Sequence, residues 1–447
     1  MSDGTDFRQV ALLHSGVADR LAEDQRERAR RGELPMSDEV ESQFARSLIK
    51  QELDKYNGER ADAGLPLLTP DEEKRLADAV HDRIYAAGSL SPHLRDPDLE
   101  NLDFQGCDQV FGTYRGGIRR ALPPLAESDE ELIGLLQTAA AAAGTNGRSF
   151  DPANPMLDAT LYDGSRLSAV YGSGDSRRLA AGGVTKRPSG SIRLNRLGGA
   201  VFLDDLVKFG SLTDEAAAFL RALVLARKNI VIGGATDSGK TTMLRALANV
   251  IPPHERLLIV EKALELHLDA YPELHPNVLP LEERLPNSEG LGAVTMAELV
   301  RRSLRSNPDR VIVGEVLGPE ALDMLNAMGQ GNDGSLSTIH ARTSAGVLDR
   351  ISTYARQGAP TFDRETINMM IAGALDFVVY LGKVDDPATG GWRRRVISIR
   401  EITGEDGRVL SNEVFKLDPA GALRPAAPVT CLEELERFGY LPSGDFV

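Results

Sequence analysis

Cysteine is nearly absent: Cys107 and Cys431 are the only two in 447 residues. A single pair cannot staple a chain of this length, so no disulfide framework or cysteine-rich metal site is expected, and the expected compartment is a reducing one. The seven histidines are scattered, with no metal-ligand spacing such as HExxH. No apolar run reaches the roughly 18 residues that a membrane helix needs. The first thirty residues mix both charges around no long apolar core, so they do not read as a secretory signal. Positive charge is in deficit: the formal net charge is −15 and the pI about 5.1. That argues against bulk attraction to nucleic acid or anionic lipid, although it leaves room for a local basic patch. Internal repeats and low-complexity tracts are also missing. What remains is 42% hydrophobic and 26% charged residues, the composition of a cytoplasmic globular protein of roughly two or three domains.

Residues 1–40 are charged and broken by Gly32 and Pro35, and are expected to form a disordered leader. A helical region follows over 41–96, where Thr69 caps a helix that has Pro70 at its first position and acidic residues next. Residues 97–200 read as a small α+β domain. It contains a hairpin turning at Asp163-Gly164, a helix closed by Gly144 and a Gly-rich loop over 173–191. From 201 to 415 short apolar runs alternate with amphipathic helices, the mark of a parallel sheet covered by helices. After about residue 376 the pattern changes to antiparallel hairpins, and 416–447 form a tail with one short helix. The domain boundary is expected near 196–205.

One motif carries chemistry. Gly234-Ala235-Thr236-Asp237-Ser238-Gly239-Lys240-Thr241 fits G-x-x-x-x-G-K-[ST], with the apolar strand NIVIG before it and the helix KTTMLRALANV after it. Glycines let the backbone curl so that successive N–H groups face one anion, and the helix start adds its positive end. Lys240 is placed to reach the β- and γ-phosphates of a nucleotide, and the Thr241 hydroxyl to ligate Mg²⁺. Thr242 completes the first helical turn. A P-loop also needs a carboxylate that orients water and helps to hold the metal. Glu315, at the end of the apolar strand RVIVGE, is the first candidate for both tasks; the alternative is a strand end facing solvent. Glu261 ends LLIVE, one strand over in the expected order, and His340 ends SLSTIH. In a doubly wound sheet such C-terminal strand ends gather where the ligand sits. His340 reads equally as a γ-phosphate sensor, as a bridge to the carboxylates, or as a satisfied structural residue.

Together these residues resemble the type II and type IV secretion ATPases, in particular the CpaF/TadA-like branch that powers Tad (Flp) pilus assembly. The resemblance runs from roughly 90 to 415 and is carried by DGSRLSAV (163–170), FLDDLVKFGSLTDEAAAFLRALVLARKNIVIGG (202–234), IPPHERLLIVE (251–261), NPDRVIVGEVLGPEALDMLNAMGQGNDGSLSTIHA (307–341) and ALDFVVYL (374–381). It implies an α/β architecture: a RecA-like P-loop NTPase domain with a smaller α+β N-terminal domain, preceded here by N-terminal helices. It further implies ATP and Mg²⁺ as ligands, a homo-hexameric ring and an inner-membrane platform protein as partner; the acidic balance argues against direct nucleic acid contact. Carried over by position, Glu261 falls in the acidic Asp box, Glu315 in an atypical Walker B and His340 in the His box. Arg166 and Arg193 match N-terminal-domain arginines that reach the phosphates. Arg284, Arg301 and Arg305 lie where the family often has arginines, each alternatively a solvated surface charge.

Some positions depart from the family pattern. Lys262 follows Glu261 where the family has aspartate, Leu317 replaces an arginine, Asn332 a histidine, and Asp237 a glycine of the P-loop. A cation gained at 262 and one lost at 317 form a candidate compensating pair. Three readings follow: a hexameric secretion or pilus motor at the inner membrane, a conjugation-type DNA-translocating motor, and a nucleotide-binding scaffold that hydrolyses slowly.

Overall fold

The computed structural model describes residues 7–31, 36, 38–85, 90–142, 150–161, 163–172, 184–194, 199–286, 290–386, 391–418, 421–442 and 444. The chain divides into two compact units, Met1–Arg196 and Leu197–Val447.

The first unit opens with three helices: α1 (Phe7–Arg31), α2 (Asp38–Asp62) and α3 (Pro70–Tyr85). The expectation of a disordered leader over 1–40 is corrected here. Val10, Leu13, Val17 and Leu21 recur at helical spacing and are buried in one cluster with Leu48, Ile49, Leu53 and Val80 of α2 and α3. Charged residues on the remaining faces of α1 masked that stripe in a reading based on composition. Thr69 and Glu72 cap α3 reciprocally: the Thr69 N–H donates to Glu72 Oε2 at 2.7 Å and the Glu72 N–H to Thr69 Oγ1 at 3.3 Å.

After the short α4 (Ser91–Arg95) comes a sheet of β1 (Leu99–Gln105), β2 (Gln109–Tyr114), β3 (Arg119–Leu122), β4 (Met156–Thr160), β5 (Arg166–Val170) and β6 (Ser189–Arg193). Its order is β3-β2-β1-β6-β5-β4, and the pairings are antiparallel. Helix α5 (Asp129–Ala142) buries Leu132 and Leu136 in the same core as Leu102, Phe104 and Ile192. Gly164, at φ 79°, makes the tight turn between β4 and β5. Gly144 and residues 173–183 of the Gly-rich loop lie outside the described residues.

In the second unit, α6 (Leu203–Lys208) and α7 (Asp214–Leu225) lead into a sheet formed by β7 (Ile230–Gly234), β8 (Leu257–Glu261), β9 (Val278–Glu282), β10 (Arg310–Val316), β11 (Leu336–His340), β12 (Phe377–Asp386), β13 (Gly391–Glu405), β14 (Val409–Leu417) and β15 (Leu423–Pro425). Between them run α8 (Lys240–Ala248), α9 (Met296–Ser303), α10 (Glu320–Gly329), α11 (Gly346–Gly358) and α12 (Arg364–Ala374), and α13 (Leu432–Glu436) closes the chain. The strand order is β15-β14-β13-β12-β7-β11-β10-β8-β9. Strands β12, β7, β11, β10, β8 and β9 are parallel, and the rest pair antiparallel. Alternate residues of the central strands enter opposite cores: Ile230 and Ile232 on the side of α7 and α8, Val231 on the side of α10 and α11. Both faces being covered explains why these strands read as unbroken apolar runs.

Two expectations change. Strand β12 is not simply one arm of a hairpin. It also pairs in parallel with β7, which brings the β12–β13 ribbon beside the phosphate-loop motif. Nor is 416–447 a separate tail. Leu423, Leu435 and Tyr440 are buried in the main core, where the Tyr440 ring stands 5.0 Å from that of Phe219. These apolar residues are too widely spaced to show a period, and only the fold brings them to one surface.

Candidate active site

The parallel order places four strand ends side by side. His340 of β11 is in register with Gly234 of β7, β10 is the next strand, and β8 adjoins β10. The chain leaves β7 at Gly234, curls through 235–239 and enters α8 at Lys240. Gly239 is the helix N-cap at φ 93°, and no side chain caps it. Gly239 has no side chain with which to cap the first turn of α8, and a helix start of that kind suits an anion. Asp237 also adopts a left-handed backbone, φ 59°. A Cβ at Gly234 would lie 2.3 Å from Ser238 Oγ and 2.8 Å from the Leu381 carbonyl oxygen, so only glycine fits there.

Three side chains converge at the mouth of this loop. The Lys240 side chain is only 7% exposed; its ammonium donates to the Ala235 carbonyl at 3.2 Å and lies 3.2 Å from His340 Nδ1 and 3.9 Å from Glu315 Oε1. His340 Nε2 is 2.9 Å from Glu315 Oε1. The Nε2–H tautomer satisfies both contacts, donating to Glu315 and leaving Nδ1 to accept from Lys240. Behind them the Thr338 hydroxyl donates to the Gly314 carbonyl at 2.6 Å, tying β11 to β10 just before Glu315. Glu320, buried at the start of α10, accepts the Leu317 and Gly318 N–H groups at 2.5 and 2.8 Å and fixes the turn after Glu315.

Glu261 does not join this cluster. It is buried, and its Oε1 accepts the N–H groups of Glu265 and Leu266 at 3.0 and 3.2 Å. Burial pushes its pKa up to about 8, with the acidic neighbours Glu265 and Glu282 adding to the rise and the two N–H bonds opposing it. At neutral pH it is chiefly a neutral acid that shapes the turn 262–266. A Cβ at Gly314 would come 2.7 Å from its Cγ. That turn delivers a residue that sequence reasoning missed: Glu265 Oε2 accepts from the Thr241 hydroxyl at 3.2 Å. Glu265 sits in irregular backbone, where no period flags it.

The arginines fall elsewhere. Arg301 pairs with Asp323 of α10 at 2.9 Å, Arg284 Nε donates to the Gly292 carbonyl at 2.6 Å, and Arg305 is exposed. Arg166 and Arg193 stand directly opposite one another on β5 and β6 of the first unit. Of the departing positions, Lys262 is exposed, Leu317 is 40% exposed, and the Asn332 side chain donates to the Pro308 carbonyl at 2.9 Å. Asp237 forms ion pairs with Lys383 of β12 at 2.9 Å and Arg394 of β13 at 2.6 Å. Burial raises its pKa, but the Arg394 charge and the hydrogen bonds from Lys383 and Arg394 outweigh that and hold it below the usual carboxylate range.

A glycine-turn anion cradle between a parallel strand and a helix, faced by a strand-end glutamate and histidine, defines a P-loop ATPase of RecA-like architecture. The family model described as Type II/IV secretion system protein matches residues 129–385. A putative conjugal transfer protein of Mycobacterium tuberculosis is 31% identical over 335 residues, covering 74% of this chain and 89% of that protein. Protein VirB11 of Agrobacterium fabrum is 31% identical over 309 residues, covering 64% of this chain and 85% of its own length. Among solved structures, the pilus retraction motor PilT with bound ADP overlays with a TM-score of 0.50 at 16% identity, over 71% of this chain and 83% of that one, a likeness of fold. The chain accordingly belongs to the type II/IV secretion system protein family, and it is an ATPase.

Proposed function

We propose that the chain is a motor of the CpaF/TadA-like branch that binds ATP in the 234–242 cradle and hydrolyses it. The observation that carries the ATP-binding and hydrolysing part of this reading is the convergence of Lys240, His340 and Glu315 at the mouth of that cradle; the branch rests on the sequence resemblance alone. Lys240 exchanges its contacts with the Ala235 carbonyl and His340 for phosphate oxygens. Glu315 then accepts a proton from, and aligns, the attacking water, while His340 holds that carboxylate in place. The hard oxygens of Thr241 and Glu265 suit Mg²⁺, and Glu315 is the second candidate carboxylate; such an ion usually takes one or two protein carboxylates plus phosphate oxygens. When bound it supplies charge neutralisation on those oxygens. Glu261 contributes by holding the turn that carries Glu265.

No helix among the described residues is long and apolar enough to cross a membrane. We place the protein at the inner membrane through a platform protein, as a homo-hexamer in which Arg166, Arg193 and Arg301 are candidate phosphate-reaching cations. Mass measurement of the nucleotide-loaded protein tests the hexamer. The central test is Lys240→Ala, which should abolish ATP turnover while leaving the circular dichroism spectrum unchanged; unaltered turnover would overturn the reading.

A conjugation-type motor is the second reading, favoured by the 31% identity to a putative conjugal transfer protein. Salt-dependent DNA binding that stimulates turnover would support it. Tight ATP binding with only slow phosphate release would instead mark a scaffold. In that case the departures at Lys262 and Leu317 are the first to restore, with Lys262→Asp and Leu317→Arg made singly and together.

A further inference from the structure

Strands β12 and β13 bring two cations to one spot. Lys383 and Arg394 are direct cross-strand partners, an arrangement that is unfavourable for like charges unless something neutralises it. Two things do. The Asp237 carboxylate accepts from Lys383 Nζ through Oδ2 at 2.9 Å and from Arg394 through Oδ1 at 2.6 Å. The ring of Trp392 lies 4.0 Å from Lys383 Nζ and 4.9 Å from the Arg394 guanidinium carbon.

Arg394 does more than balance charge. Its Nε donates to the Asp237 main-chain carbonyl at 3.1 Å, and its aliphatic stem covers Gly239, where a Cβ would lie 3.4 Å from Arg394 Cδ. In a trans peptide the C=O and N–H bonds point in opposite directions, and no cis peptide bond occurs among the described residues. With the Asp237 carbonyl turned out toward Arg394, the Ser238 N–H of the same peptide plane is turned the other way, away from the arginine. Asp237 sits at φ 59°, a conformation that a non-glycine residue keeps only when its surroundings hold it. The aspartate at this position is thus part of a strap that fixes one peptide plane of the loop.

We propose that Arg394 is a positioning residue of the phosphate loop. By holding the Asp237 carbonyl outward it aims the Ser238 N–H into the cradle, and the Asp237 carboxylate keeps the guanidinium in place. The proposal rests on the reading of residues 234–242 as the ATP cradle, and deepens it. Without the strap, the 237–238 peptide is free to turn, one phosphate donor is lost before the nucleotide arrives, and ground-state binding suffers more than the chemical step.

The test measures ATPase kinetics and equilibrium binding of a fluorescent ADP by the full chain and its variants. Arg394→Ala should raise KM and the ADP Kd about tenfold, with kcat within about threefold of wild type. Arg394→Lys keeps a cation for Asp237 but has no Nε to reach the carbonyl, so it should show an intermediate rise; it also serves if the alanine variant fails to fold. Asp237→Gly retains the backbone conformation and loses the carboxylate, and should raise KM less than Arg394→Ala. The double variant should be no worse than Arg394→Ala alone. Unchanged KM and Kd in folded Arg394→Ala or Arg394→Lys, or losses confined to kcat, would overturn the proposal. A wild-type chain that binds no nucleotide would overturn the reading of the cradle itself, which Lys240→Ala tests separately.

Discussion

Replacing Glu261 by glutamine should stabilise the nucleotide-free protein, and increasingly so as pH rises. Glu261 is 4% exposed, and burial pushes its pKa up to about 8 from an ordinary 4.5. Below the ordinary value the group is protonated in both folded and unfolded chains, so its favourable contribution is fully present. Between the two values the unfolded chain releases a proton that the folded chain retains, and stability falls as pH rises. Each unit is worth about 1.4 kcal/mol, so the loss across the whole window is on the order of 5 kcal/mol. Glutamine keeps an oxygen to accept the Glu265 and Leu266 N–H groups and has no proton to lose. Urea unfolding of both proteins at about pH 5, 6.5 and 8 measures the effect. Trp392, the sole tryptophan, reports on the Leu197–Val447 unit. The variant should gain on wild type by more than ~2 kcal/mol between the lowest and highest pH. Parallel stability profiles would refute the argument. If Glu261 is neutral and structural, Glu261→Gln should also keep turnover within about tenfold of wild type, whereas Glu315→Gln should lose about a hundredfold or more.

Three further outcomes follow from the same structure. Phe219 is fully buried against the rings of Phe377, Phe415 and Tyr440, so Phe219→Ala should cost about 3–5 kcal/mol in guanidinium unfolding. His340→Ala leaves Glu315 without its 2.9 Å partner. It should lower kcat about 10- to 100-fold, with His340→Gln intermediate because an amide can still bridge. Glu265→Gln weakens the oxygen pair formed with Thr241 and should raise the Mg²⁺ concentration for half-maximal turnover roughly tenfold.

The phosphate loop was legible because its constraints are local: a tight backbone curl, a lysine and a hydroxyl at fixed steps along one turn. The strand ends at Glu315, His340 and Glu261 were legible as well, since a buried parallel strand reads as an unbroken apolar run that stops at a polar residue. What each strand-end residue does was not legible. Glu315 and Glu261 look alike in sequence, yet one meets Lys240 and His340 while the other is buried on its own turn. Helix α1 escaped notice because its charged faces outnumber the apolar stripe of Val10, Leu13, Val17 and Leu21.

By itself the sequence determined the chemistry on offer: a phosphate cradle at 234–242, candidate carboxylates, and an alternation of strands and helices that commits the second half to a covered parallel sheet. These follow from backbone geometry and side-chain period, which act over a few residues. The tertiary structure alone decided which groups meet. The order β12-β7-β11-β10-β8 sets His340 and Glu315 beside Lys240, buries Glu261, turns Glu265 toward Thr241 and lays Arg394 across the loop. Those pairings join residues up to 157 positions apart, and a contact over such a distance depends on strand order and burial, which no local pattern encodes.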